Sequence, residues 1–555
     1  MILNDALQIL EFVVLFAFLV LASAGWGSLC CRWGKLPEAF GFMLGLTVLL
    51  GLAYLALFVF VLDNGIGQVT VSLVGLVSLG VTVKQFAQVG VRKDLEQADV
   101  WLPVLLLFLY TASCLLVLLL HGNDPRHALS PGLPEDNILP QILAERLWSG
   151  ASVHPFYGDW LSSDRPPLQS AAYLLCLPLT WLGFNEDDIY GIVSTLCQTM
   201  WLPAVYLLAR ELRWSGYALK FILVWFAGSG FFLLHSIFAW PKLFSAALFL
   251  GGLAVLLRCA EKLPEKKTGA LVMLGLLWGL ALLAHGGVLF SLLAVPLLPA
   301  AWRLLMASPG PVMGALVVFV VVNLPWAAYQ KFYDPPGNRL VKMHLAGVIE
   351  VDSRGTWETV RDEYGHLTFA QWLQNRFGNV KASLLWDDPR TTGDFRSVAG
   401  WQKYLSDQGF FRLTGVFGLL NLGFLVLAVE AWRSKKRENS FDGRWRELLL
   451  MNVGCYLGWI ILIYRPDQAI VHQGSFAMII LFMMIALWGV TRLPVGLGLS
   501  LLVGQWGLFA FDDLYCFYLP VPVNLMWVIQ QVLYWFLISF FVVSVWRWSP
   551  RDLPE

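Results

Sequence analysis

The chain has 555 residues, of which 58% are hydrophobic and 14% charged, and its formal net charge is zero. A soluble domain carries about 25% charge, so this chain has too few polar groups to cover a water-facing surface. The neutral balance supplies no basic face, and no nucleic-acid partner is expected.

Apolar runs of about 20 residues recur along the whole length, and each can cross a hydrocarbon core about 30 Å thick. They predict an all-α polytopic membrane protein of about fifteen transmembrane helices. The expected spans lie near 7–29, 39–62, 67–86, 101–120, 188–208, 217–235, 243–257, 269–284, 287–302, 312–329, 411–431, 447–463, 474–491, 494–511 and 526–546. Asp5 stands where a cleavable leader would carry basic residues, and no A-x-A site follows, so the first run is expected to stay as a helix. The eight cysteines fall mostly inside or at the ends of apolar runs with no CxxC spacing, which reads as packing.

Short loops set the orientation, because Lys and Arg are retained in the cytoplasm. Arg32 and Lys35, Arg92 and Lys93, Arg210 and Arg213, Lys262 to Lys267, Arg303, Arg433 to Arg446, Arg492 and Arg547 fall on alternate loops. That side is expected to be cytoplasmic, with the N-terminus outside and the C-terminus inside. Two long segments, about 121–187 and 330–410, lie on the opposite side. All eight histidines fall on that side or at its helix ends, which suggests one polar chemical face.

The first long segment holds Glu135 and Asp136, then Ile138, Ile142, Leu143 and Leu147 at helical spacing. A helix there is expected to lie along the membrane surface. Acids suit its first turn, where free N–H groups and the positive dipole end collect, so a simple cap is the bland reading of the pair. Asp164-Arg165-Pro166-Pro167-Leu168 follows. Its two prolines fix an extended entry and hold an acid and a guanidinium beside the membrane.

In this run the sequence resembles the C-type membrane glycosyltransferases (GT-C fold), the group of the protein O-mannosyltransferases and the lipid A aminoarabinose transferases. Their first large outer loop is similar: an acidic pair, a helix ending in a small-residue turn, then Asp-Lys-Pro-Pro-Leu. Here the pieces are Glu135-Asp136, then Ala144, Leu147 and Gly150, then Asp164-Arg165-Pro166-Pro167-Leu168. The acid order is reversed and Arg replaces Lys. By spacing Glu135 fits the leading acid; by residue type Asp136 fits. Asp136 is taken first as the catalytic carboxylate and Glu135 second.

The resemblance implies a division of the chain. Residues 1–100 would be added N-terminal helices, 101–330 the GT-C core with its catalytic loop 121–187, 331–410 a second large outer loop, and 411–555 the C-terminal helices. It also implies an enzyme that moves a sugar, with inversion, from a polyprenyl-phosphate donor to an envelope glycan, lipid or protein. Asp136 would be the general base, Asp164 and Arg165 would help to bind the donor, and Arg165 is alternatively the residue that orients the base. Candidate donor-binding residues are Lys242, His285, Arg339, Lys342, His344, Arg465 and His472. Each has a plainer reading: Lys242 snorkelling to headgroups, Arg339, Lys342 and His344 a solvated loop face, Arg465 and His472 a capped turn, and His285 a structural histidine. A divalent metal on Glu135, Asp136 and histidines is neither required nor excluded by ligand spacing. The expected setting is a bacterial inner membrane, with the bilayer itself as a partner. Rival functions are a lipid-linked glycan transporter or flippase, a polysaccharide polymerase or ligase, and an inactive scaffold. Helix interiors almost free of ionisable residues disfavour the transporter.

Overall fold

The structure, a computed structural model, describes residues 2–89, 98–120, 135–214, 216–261, 268–384, 396–433, 443–466, 470–514 and 525–548. Among the described residues there is no β-strand, only one antiparallel bridge between Tyr157 and Trp160.

The N-terminal part is α1 (Ile2–Gly34), α2 (Gly41–Leu62) and α3 (Asn64–Val89). Next come α4 (Ala98–Leu120), α5 (Leu139–Ser149), α6 (Leu168–Cys176), α7 (Glu186–Thr199) and α8 (Trp201–Glu211). Then follow α9 (Gly216–Ala227), α10 (Gly230–Ile237), α11 (Lys242–Glu261), α12 (Thr268–Ala284), α13 (Leu289–Ala294), α14 (Pro299–Ala307) and α15 (Pro309–Ala328). The second long segment carries α16 (Arg339–Ala346), α17 (Thr356–Gly365), α18 (Phe369–Leu384) and α19 (Val398–Phe411). The rest is α20 (Leu413–Phe417), α21 (Asn421–Arg433), α22 (Gly443–Leu462), α23 (Ile470–Gln473), α24 (Phe476–Val490), α25 (Val495–Leu508) and α26 (Leu525–Arg547).

Among the described residues, nine helices are long and apolar enough to cross a membrane, or eleven if each of two bent pairs is one span. The chain is therefore a multi-pass, all-α membrane protein. The bent pairs correct two expected spans. The run at 217–235 breaks by 55° between α9 and α10. Ser229 is extended there, and the Trp506 ring occupies the space a side chain at Gly228 would need. The run at 287–302 breaks by 69° ahead of α14. Pro299 opens α14, and the residue before a proline is pushed out of helix; Leu298 is extended, with ψ 115°. Leu168–Leu182 is a short apolar helix inside the first long segment, where no span was expected.

The amphipathic stretch does form a helix, α5, and its apolar face is covered by protein. Leu139, Leu143, Ala144, Leu147 and Trp148 are buried, and α5 packs on α2, α3 and α6. Gly150 ends it in the left-handed region at φ +71°, where glycine pays no Cβ cost. Arg146 then gathers the following loop by donating to the carbonyls of Ser152, Pro155 and Phe156.

The three N-terminal helices pack on the core directly. Phe12 of α1 stacks on Phe108 of α4 at 5.1 Å. Helices α1 and α2 meet through small residues, as close helix contacts in membranes do. A Cβ at Gly45 would sit 2.0 Å from the Ser23 carbonyl oxygen, and one at Gly27 2.1 Å from that of Gly41. We expect Gly45→Leu to force α1 and α2 apart and lower the unfolding temperature in detergent. Gly80→Leu, with open space around its Cβ position, should leave that temperature unchanged.

Candidate functional site

Two prolines and two glutamines decide where the site forms. Pro166-Pro167 brings the chain from the first long segment into α6, with Pro167 at the N-cap. One turn on, the Gln169 amide donates to Tyr190 Oη at 3.1 Å, Ser194 Oγ at 3.2 Å and the Ala239 carbonyl at 3.0 Å. Gln198 donates to the Gln169 side-chain oxygen at 3.3 Å and accepts from the Phe244 N–H at 3.2 Å. Asn137 Nδ2 donates to the Phe238 carbonyl at 2.9 Å, and Tyr190 Oη donates to the Asn137 carbonyl at 2.7 Å. These bonds are buried, so each broken one would strand a polar group away from water. Together they fix the 238–244 turn against Asp136.

Asp136 sits in a short 3-10 turn at 135–138 that leads into α5, and it is 8% exposed. Arg165 forms an ion pair with its Oδ2, and the Trp240 indole N–H donates to its Oδ1. The Arg165 guanidinium also lies 5.2 Å from the centre of the Trp160 ring, and Arg339 lies 5.1 Å from the same ring. Burial pushes Arg165 down to about 10, so it remains cationic at neutral pH.

Lys242 opens α11 and is 6% exposed. Its ammonium lies 3.7 Å from the centre of the Trp240 ring and 5.4 Å from that of Phe476. Among the described residues, no carboxylate lies within ion-pair distance of it. It does not snorkel to headgroups. A cation at a helix N-terminus faces the positive end of the dipole, and a buried charge without a partner is costly. The position favours an anion, and among the described residues none is provided by a carboxylate.

The expected clamp of Arg339, Lys342 and His344 is split. Arg339 pairs with Asp159 and Asp164 and donates to the Ile349 carbonyl at 2.7 Å. Lys342 is buried and pairs with Asp352. That pairing holds the Asp352 carboxyl down to about 2. These two cations are spent on loop structure. His344 instead faces Arg165 and Lys242. Loss of water and then repulsion by those two cations push it down to about 4, so it is neutral at pH 7. It offers a hydrogen bond to a ligand, not a fixed charge.

The sign of this shift gives a stability prediction. An ordinary histidine takes a proton near pH 6.5, and so would His344 in the unfolded chain. The folded chain resists that proton until about pH 4. Its contribution is complete above pH 6.5 and is lost as pH falls towards 4. Unfolding temperatures between pH 7 and 4 should therefore fall less steeply for His344→Gln than for the wild type.

The remaining candidates fall around this centre. His285 caps a turn, its Nδ1 accepting from the Gly287 N–H at 3.0 Å. His472 lies with its ring centre 5.0 Å from that of Trp240 and 5.1 Å from that of His235. Arg465 is exposed, next to Gly347 at the end of α16. The preceding Tyr464 N–H donates to the His344 carbonyl at 2.9 Å. Asp164 accepts from the Leu161 N–H at 2.9 Å, and burial pushes its carboxyl up to about 6. The side chains of Glu135, Asp387, Asp388, Asp512 and Asp513, and the whole of His121 and His127, lie outside the described residues.

Sequence reasoning missed Trp240, Trp160, Gln169 and Asp334. Asp334 joins the two long segments. Its carboxylate accepts from Ser162 Oγ at 2.6 Å and Ser163 N at 2.8 Å, with His154 at 3.4 Å. Ser163 Oγ donates back to its carbonyl at 2.8 Å. The signal was present: Asp334-Pro335-Pro336 repeats the acid-then-double-proline pattern of 164–167.

The chain matches no protein-family model, no curated protein and no solved structure. Among the described residues, no three His, Cys, Asp or Glu side chains converge where a metal ion could sit. The functional reading rests on the geometry around Asp136.

Proposed function

We propose that this protein is a C-type membrane glycosyltransferase of about fifteen spans. It moves a sugar from a polyprenyl-phosphate donor to an envelope acceptor at the outer face of a bacterial inner membrane. The N-terminus lies outside and the C-terminus in the cytoplasm, a placement that the alternating Lys and Arg loops support. The observation that carries this reading is one buried carboxylate bracketed by two cations. Asp136 is ion-paired to Arg165 and linked through the Trp240 ring to Lys242.

Asp136 accepts the proton of the acceptor hydroxyl as its oxygen forms a bond to the sugar C1. The bond from C1 to the phosphate oxygen breaks, and its electron pair stays on that oxygen. One displacement inverts C1. Lys242 stabilises the charge that grows on the leaving phosphate, and neutral His344 donates a hydrogen bond to it. Proton uptake by Asp136 releases Arg165 from its ion pair as the phosphate gains a negative charge.

The donor tail needs apolar surface near the phosphate. A groove of about 380 Å³ runs along α12, α13 and α15, lined by Trp278, Leu289, Leu293 and Phe319. Its apolar walls suit an isoprenoid chain.

The test is purified protein in bilayer nanodiscs, a panel of radiolabelled polyprenyl-phosphate sugars and an envelope extract as acceptor. Label moving to the acceptor from at least one donor supports the proposal. No transfer and no donor binding across the panel would refute it.

A further inference from the structure

This inference rests on the transfer reaction proposed above. We infer that Trp240 is the positioning residue of the site: its indole N–H fixes the Asp136 carboxylate while its ring face holds the Lys242 ammonium, so one side chain sets base and phosphate-binding cation in register.

Among the described residues, Asp136 has one neighbour on each oxygen, Arg165 on Oδ2 and the Trp240 N–H on Oδ1. The first is a charge that the reaction releases. The second is a neutral donor that stays, so the indole N–H holds the carboxylate in place throughout. Trp240 is 4% exposed and its ring meets Phe238 edge-on at 4.5 Å. With the ring held this way, the Lys242 ammonium sits 3.7 Å from the ring centre. Cation–π attraction is strongest over an indole and grows as water is removed. Trp is the side chain that combines an N–H donor with that face.

The backbone supports the same reading. Ala239, next to Trp240, adopts φ +60°, a left-handed conformation that costs a non-glycine residue energy. The strain is held by Gln169 on the Ala239 carbonyl and Asn137 on the Phe238 carbonyl. Asn137 is the neighbour of Asp136. The carboxylate and the residue that positions it are therefore anchored by the same short stretch of chain. The Lys242 N–H closes the turn by donating to the Trp240 carbonyl at 2.6 Å. Core packing alone would need neither an indole N–H aimed at a carboxylate nor a strained alanine beside it.

Infrared difference titration of the reconstituted protein tests this without any sugar transfer. The Asp136 carboxyl band is assigned by its loss in Asp136→Asn. Trp240→Phe keeps an aromatic ring and removes a donor to the charged carboxylate, so the Asp136 midpoint should rise by about one pH unit. In the transfer assay the same variant should lower kcat about 10- to 100-fold while KM changes less than about threefold. The acid limb of its pH profile should move up with the infrared midpoint. Replacing Trp240 by β-(3-benzothienyl)alanine, which keeps the bicyclic shape and lacks only the N–H, should reproduce both shifts. It carries the test if Trp240→Phe does not fold. An unmoved midpoint in a folded variant would overturn the inference. A midpoint that moves in a protein that transfers no sugar would leave the contact standing and remove the reaction it was proposed to serve.

Discussion

Asp136→Asn should abolish sugar transfer while leaving donor binding and folding intact. Asparagine keeps the size of the side chain and can still accept from Trp240 through its amide oxygen, while its NH2 takes the place of the oxygen that pairs with Arg165. It cannot take a proton. Removing a general base costs about 10²- to 10⁴-fold in rate, so kcat should fall by about three orders of magnitude. Donor affinity should hold or tighten, because Arg165 loses its carboxylate partner and is free for phosphate. The measurement is single-turnover transfer alongside equilibrium binding of the same donor. A variant that transfers at the wild-type rate would move the base to Glu135 or elsewhere. One that loses binding as well would make Asp136 a structural residue of the loop.

Lys242→Met should separate function from stability. Methionine keeps the apolar stem packed on Trp240 and Phe476 and removes the charge. A hydrogen bond to a charged group contributes about 1.5–3 kcal/mol, so donor affinity should drop about 10- to 100-fold. The ligand-free protein should become more stable by about 1 kcal/mol, because a buried cation with no carboxylate partner among the described residues is gone. Function lost while stability is gained is the mark of a residue kept for its ligand. Donor binding and thermal unfolding of the same preparation read both effects. A variant that is less stable and binds donor normally would mean that Lys242 is part of the core.

The membrane architecture was legible because it rests on run length. Twenty apolar residues must lie in a bilayer whatever their neighbours do, so most expected spans recur as apolar helices. The misreadings have local causes. Gly228-Ser229 and Leu298-Pro299 break two helices within apolar runs, and hydropathy does not register a change of direction. Helix α5 shows its amphipathic pattern in the sequence but not that α2, α3 and α6 cover its apolar face, since no single helix announces its partners.

The site divides in the same way. Asp136 and Arg165 were visible through the acidic pair and the Asp-Arg-Pro-Pro-Leu run, and Lys242 as a cation on the outer side. The geometry brings these three together. Arg339 and Lys342 read as a clamp because they are close in sequence, but Asp159 and Asp164 take the first and Asp352 the second. Neighbours in sequence, these cations found acids distant from them or beyond the reach of any spacing rule. Trp240 was hidden for the opposite reason. Among 26 tryptophans in a membrane protein, one aimed at a carboxylate looks like the rest until the 238–242 turn is seen.

The most direct measurement is the configuration of the sugar C1 before and after one turnover, followed by NMR on a donor labelled with ¹³C at that carbon. A single displacement assisted by Asp136 predicts complete inversion, with polyprenyl phosphate released in equal amount. Retention of configuration, or transfer with the bond between C1 and the phosphate oxygen intact, would contradict it.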